Sequence, residues 1–302
     1  MFTVDMRMQG IVGVGKMVNG KYVHANTTEN MIVDSGLELI GNVDADVASK
    51  YCLVGSDGTP TNAAMTTLLS RIGTASAYAS GSSDVFGGTP GVDAYVSLIR
   101  TYTFALGAVT GNVAEIGFFD TSGTSRKMFS RMIPKDAEQT PVTIPISNEE
   151  QLVVTYELRA YLPPVVDTTM TIDLKGVPTV IPVKITPLTA NSTVWSPGTN
   201  VVTTTNTYVQ DSLITPVPGV SSGYLLGNRE YVTNWSNPAY VPGSYERVKA
   251  LTIPINLAAW PGGIQSMVIH SKYYIGFSIP IPKQAGDTLT IPFKWSWGRY
   301  GE

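Results

Sequence analysis

Apolar and polar residues alternate along much of this chain with the two-residue period of half-buried β-strands. Between Val153 and Tyr161, the side chains of Val154, Tyr156, Leu158 and Ala160 fall on one face and mostly polar groups on the other. Thr-rich, β-branched stretches of the same kind recur at 168–175, 179–186, 201–209, 247–257, 267–281 and 288–297. Turn signals separate them, among them Asn19-Gly20, Asp57-Gly58, Pro197-Gly198, Pro242-Gly243 and Pro261-Gly262-Gly263. Many short strands with such turns predict an all-β fold, a sandwich or a barrel, with a sandwich, jelly-roll-like or Ig-like, as the expected form. Helical spacing is confined to 28–40 and 63–72, which predicts one or two short helices in the first half. Ile-Pro pairs at Ile144-Pro145, Ile253-Pro254 and Ile291-Pro292 place strands at edges or bulges, because proline removes a ladder donor.

An internal repeat sets the expected domain count. Phe129-Ser130-Arg131-Met132-Ile133-Pro134-Lys135-Asp136-Ala137 and Phe277-Ser278-Ile279-Pro280-Ile281-Pro282-Lys283-Gln284-Ala285 share the pattern F-S-x-x-I-P-K-x-A. Both are followed by Thr-Ile-Pro, at Thr143 and at Thr290, and preceded by related stretches, Leu106 to Val113 and Leu257 to Ile264. Duplication predicts two tandem β-sandwich domains, 1–162 and 163–302, joined at the extended Leu162-Pro163-Pro164 segment. Val153 to Tyr161 and the stretch around Trp295 to Tyr300 would be the matching final strands. The second domain is read as the diverged, aromatic-rich copy.

Composition narrows the function. Only 14% of the 302 residues are charged, against a usual share of about 25%, so much of the surface is uncharged and suited to meeting other subunits. A net charge of −3 with scattered basic residues disfavours nucleic acid as a partner. The single cysteine, Cys52, has no intramolecular partner and sits among apolar neighbours, as a core residue of a chain made in a reducing compartment would. No apolar run approaches the length of a membrane-spanning helix and the start lacks a signal-peptide pattern, so neither membrane insertion nor export is expected.

Candidate chemistry is sparse. Gly10-Ile11-Val12-Gly13-Val14-Gly15-Lys16-Met17 falls one residue short of a phosphate-binding loop, with Met17 where a magnesium-binding hydroxyl belongs. The turn that follows reads as a hairpin, so the glycines are expected to be bends or bulges in an N-terminal strand. His24 and His270 are far apart and outside any metal-ligand spacing, and Asp44-Ala45-Asp46 and the Asp120 loop lack the carboxylate spacing of a calcium site. Asn191 and Asn234 match the glycosylation pattern by chance in a chain with no export signal. Catalytic, cofactor-binding and metal-ligating residues are therefore expected to be none. A pair of carboxylates acting on a polysaccharide ranks last among the readings. Aromatics crowd the second half, and Tyr231, Trp235, Tyr240 and Trp260 are the candidate contacts, serving as interface anchors or as platforms for a host-surface glycan.

The first half resembles bacteriophage virion proteins of the tail, neck and fibre type. The resemblance rests on Asn30 to Leu37, on Tyr51-Cys52-Leu53-Val54-Gly55-Ser56-Asp57-Gly58-Thr59-Pro60, and on Gly111-Asn112-Val113-Ala114-Glu115-Ile116-Gly117-Phe118. It continues through Met128-Phe129-Ser130-Arg131 and Leu152 to Leu158. The second half lacks the Gly-Asn-Val-Ala-Glu-Ile-Gly wording. The resemblance implies a non-enzymatic, homo-oligomeric virion subunit of tail, collar or fibre base, assembled in the bacterial cytoplasm, whose partners are copies of itself and other virion proteins. The alternatives are a receptor-binding module that recognises host-surface glycan and a capsid decoration protein. On this reading the first domain anchors and the second specialises.

Overall fold

The computed structural model describes residues 1–43, 45–89, 92–161, 164–188, 207–216, 225–236, 238–269 and 273–302. The Pro197-Gly198 turn, Asn191, His270, the Leu162-Pro163 junction and most of the expected strand at 201–209 lie outside them.

The first half contains β1 (Phe2–Val18), β2 (Lys21–Ile32), helices α1 (Asp34–Ile40) and α2 (Ala45–Ala48), β3 (Tyr51–Gly55), β4 (Arg71–Gly87) and β5 (Tyr95–Thr103). It continues with β6 (Gly111–Val113), β7 (Glu115–Phe119), β8 (Met128–Met132), β9 (Ile144–Ile146) and β10 (Gln151–Tyr161). Eight of these strands follow one another in the order β10-β5-β4-β3-β7-β8-β2-β1, and an antiparallel ladder from Arg7↔Tyr161 to Met17↔Gln151 joins β1 back to β10. The first half is thus a closed barrel, one of the two architectures that its strands and turns allow, and not the expected sandwich. Closure depends on β1 meeting β10 across the whole half, a long-range pairing that local alternation does not encode.

The inward residues are those that the alternation picks out. Val154, Tyr156, Leu158 and Ala160 of β10 are all buried, and Tyr156 stacks on Phe118 with ring centroids 4.1 Å apart. The Gly10–Gly15 stretch is continuous strand with a bulge at Val14/Gly15. Two of its glycines make room for side chains: a Cβ at Gly10 would lie 2.0 Å from Asn30 Oδ1 and 2.7 Å from the Tyr156 ring, and one at Gly15 would lie 2.5 Å from the Tyr22 ring. The turn Asn19-Gly20 has positive φ at both residues, as a tight hairpin requires.

One expected helix forms and one does not. α1 begins after β2, later than the 28–40 stretch implied, and packs so closely on β8 that a Cβ on Gly36 would lie 1.9 Å from the Phe129 carbonyl oxygen. The segment 63–72 is not helical, because tertiary contacts claim its backbone: Leu69 and Ser70 donate their N–H groups to the Glu115 carboxylate at 3.2 and 2.8 Å.

The second half contains β11 (Val166–Leu174), β12 (Val177–Pro187), β13 (Thr207–Gln210), β14 (Arg229–Val232), β15 (Glu246–Ile253), β16 (Ile264–Ile269), β17 (Tyr273–Ile281) and β18 (Leu289–Arg299). The stretch 267–281, which reads as one strand, is two. Six strands form a sheet ordered β11-β12-β17-β16-β13-β14, while β15 and β18 extend the barrel sheet beyond β1.

The pairings repeat those of the first half. Hairpin β11–β12 matches β1–β2, even to positive φ at both turn residues, Lys175 and Gly176. Pairs β12–β17, β16–β17, β13–β16, β13–β14 and β15–β18 likewise match β2–β8, β7–β8, β3–β7, β3–β4 and β5–β10. The repeated Phe-Ser segments occupy equivalent strands, β8 and β17. The Thr-Ile-Pro matches do not: Thr143 leads into short β9, whereas Thr290-Ile291-Pro292 lies inside β18.

The two halves share a strand. Phe2 to Met8 of β1 pair in parallel with Phe293 to Arg299 of β18. By the correspondence just given, β11 would occupy that edge of β18, and the N-terminal strand occupies it instead. Val4 and Met6, at 1% and 0% exposure, are core residues on this shared strand. Helix α1 completes the junction: Trp297 Nε1 donates to Leu37 O at 2.9 Å, Arg247 donates to Gly41 O at 2.7 Å, and Arg299 pairs with Asp34.

Candidate functional site

The repeated segment shapes the described clefts of both halves. In β8 it places Arg131 side by side with Glu115 of β7, and both side chains are fully buried. Arg131 Nε and its terminal nitrogen meet Glu115 Oε2 at 2.9 and 2.8 Å. Arg131 also donates to the Thr59 carbonyl at 2.8 Å and to Thr61 Oγ1 at 3.0 Å, while Glu115 accepts from Leu69 and Ser70. A buried charge pair persists when its remaining hydrogen-bonding capacity is met in this way. The pair therefore pins the 56–70 loop to the barrel. Asp57 to Thr61, Glu115 and Arg131, far apart in sequence, meet here. Among the described residues β2 pairs with β8 only at Met31↔Arg131 and Ile32↔Ser130. Beside this pairing is a cleft of about 430 Å³ lined by Glu29, Asn30, Thr61, Met132, Lys135 and Gln139.

In the second half the equivalent segment starts within β17, and its Pro280, Pro282 and Lys283 border another cleft of about 430 Å³. Trp260, Pro261, Pro280 and Pro282 give it an apolar wall, and Lys283 and Gln284 are its polar members. Lys283 is 4% exposed and its Nζ has no hydrogen-bond partner. Desolvation pushes its amine below the usual lysine range, opposed by the carboxylate of Asp287. Lys283 also lines a smaller cleft of about 190 Å³ with Asp173, Lys175 and Asp287.

The four aromatic candidates part company. Tyr240 is 8% exposed, its hydroxyl donates to Glu38 Oε1 at 3.1 Å, and burial raises its phenol to about 12. It belongs to the junction inside the chain, not to an outer surface. Trp235 packs on Phe293 and Trp295, with centroids 5.1 and 5.7 Å away, and its backbone bridges to Leu251 of β15. Trp235 is thus half-buried against the core, and the described clefts do not include it. Tyr231 is exposed and lies against Tyr208 at 5.3 Å. Trp260 alone of the four lines one of these clefts. Sequence reasoning missed Glu38, Asp34 and Arg299 of the junction, which carry no local signal. It also passed over Lys283, although the repeat contains it.

Among the described residues, no group of His, Cys, Asp or Glu is arranged to hold a metal ion. Cys52 is buried and desolvation raises its thiol far above the range in which it would act as a nucleophile. The chain matches no family model, and no similar protein was found among curated sequences or solved structures.

Proposed function

We propose that this chain is a non-enzymatic structural subunit of a bacteriophage particle, a homo-oligomeric component of tail, collar or fibre base, with capsid decoration as the alternative placement. Its two halves are diverged copies of one ancestral eight-stranded unit, a reading supported by the matched strand pairings. The observation that carries the assembly role is the outer edge of β2. Among the described residues, that edge pairs only through Met31 and Ile32, leaving Lys21 to Ala25 exposed. In a two-residue hairpin Val18 and Lys21 exchange ladder bonds and the pattern alternates, so Tyr22 and His24 turn their N–H and C=O groups outward. An edge of this kind, carrying half-exposed Tyr22 and Val23 and no proline, is a template for another strand. A second copy of the chain is the occupant.

Mass photometry of the wild type and of His24→Pro tests this. The proline removes an outward donor and leaves the β1–β2 ladder intact. Oligomers lost in the variant, with unchanged circular dichroism, support the reading, as does detection of the chain in purified particles. A wild type that stays monomeric at high concentration overturns it. The Trp260 cleft favours a second reading, a module that recognises host-surface glycan, because a partly exposed indole among prolines is a surface on which a sugar ring can stack.

A further inference from the structure

The unpartnered ammonium of Lys283 points to the chemistry of what the Trp260 cleft holds. Taking a charged amine out of water without a partner is costly even after relaxation, so folded proteins rarely keep one. Lys283 is kept in this state on the border of a cleft. The nearest candidate counter-charge is engaged elsewhere: Asp287 pairs with Lys175 Nζ at 3.3 Å and accepts the Gln284 N–H at 3.1 Å. The larger cleft has no acidic residue in its lining, so Lys283 is its one charge. The same lining includes Trp260 and three prolines, an apolar surface suited to the C–H face of a ring. A lysine stem has four rotatable bonds, so the ammonium can be redirected toward an anion lying in the cleft. At about 430 Å³ the cleft is within the range of small-ligand sites.

We propose that the Trp260–Lys283 cleft binds a carboxylate-bearing pyranose, with the ring stacked on Trp260 and the carboxylate paired with Lys283. The inference rests on the recognition reading and names its ligand class as acidic saccharide. Pairing relieves the buried ammonium, so acidic sugars gain over neutral ones of the same shape. The first half has no counterpart of Trp260 in its cleft, which confines the site to the second copy.

Calorimetric titration of the full chain with oligoglucuronate, oligogalacturonate and the matching neutral oligosaccharides provides the test, run on wild type, Lys283→Met, Lys283→Arg and Trp260→Ala. The expected result is binding of an acidic oligosaccharide at least tenfold tighter than of its neutral match. Lys283→Met should erase the difference, Lys283→Arg should keep part of it, and Trp260→Ala should weaken both ligands. Lys283→Met should also unfold no earlier than the wild type, since it removes an unpaired buried charge, and so its loss of binding is not a loss of fold. Equal affinity for acidic and neutral sugars overturns the carboxylate pairing and leaves the recognition reading standing. Binding of neither kind overturns both. A change of oligomeric state in Lys283→Met, without saccharide binding, marks the cleft as a subunit contact and also overturns the proposal.

Discussion

The indole Nε1 of Trp297, in the last strand, donates a hydrogen bond of 2.9 Å to the carbonyl oxygen of Leu37 in helix α1. Both groups are buried, and Trp297 also lies 5.6 Å from the Tyr240 ring, whose hydroxyl reaches Glu38 on the same helix. Trp297→Phe retains the ring contact and leaves the Leu37 carbonyl without this donor. It should destabilise the chain by about 1–2 kcal/mol, read as a lower urea midpoint with an unchanged slope. No change in midpoint would show that the bond does not couple helix and strand.

A chain starting at Met8 keeps only the last residue of the segment that pairs in parallel with β18 and lacks Val4 and Met6 of the core. Losing the burial of two such side chains costs about 3–6 kcal/mol at the usual 1.5–3 kcal/mol each. The shortened chain should show a red-shifted tryptophan emission, because Trp295 and Trp297 lie on the strand left uncovered. Emission and stability equal to the wild type would mean that β18 does not depend on the N-terminal strand.

Removing one member of the buried Glu115–Arg131 pair strands the other. Arg131→Met should cost about 3–5 kcal/mol, whereas Glu115→Leu combined with Arg131→Met should recover much of that loss. In the double variant the backbone N–H groups of Leu69 and Ser70 lose their acceptor, so limited proteolysis should cut within 56–70 while the barrel survives. A double variant as protease-resistant as the wild type would show that the loop is held by other contacts.

Lys249, on β15, is 2% exposed, and burial lowers its amine to about 8, with nearby Arg247 adding to the effect. Its folded pKa lies below the unfolded value, so between those two values the unfolded chain binds more protons and stability rises with pH. The cost of the buried charge is fully present below about pH 8 and is relieved as pH climbs toward the unfolded lysine value of about 10.4. Lys249→Met should be more stable than wild type at pH 7, by on the order of 2 kcal/mol, and the gap should close by pH 10. Chemical denaturation of both proteins at intervals from pH 7 to 10 measures it, and a gap independent of pH would contradict the assignment.

The alternation of Val154, Tyr156, Leu158 and Ala160 and the Asn19-Gly20 turn determined strands, inward faces and the first hairpin, because side-chain period and turn dihedrals are local properties. The repeat likewise marked β8 and β17 as counterparts and contained Lys283. Tertiary structure alone decided that β1 closes a barrel through β10 and lends its first residues to β18, since strand partners separated by most of the chain are chosen by packing and register across the whole molecule. The same distance hid the meeting of Glu115 with Arg131. Tertiary structure also set Tyr240, read as an interface or glycan contact, inside the junction beside Glu38 and α1, and packed the half-buried Trp235 against Phe293 and Trp295, because these partners are remote in sequence.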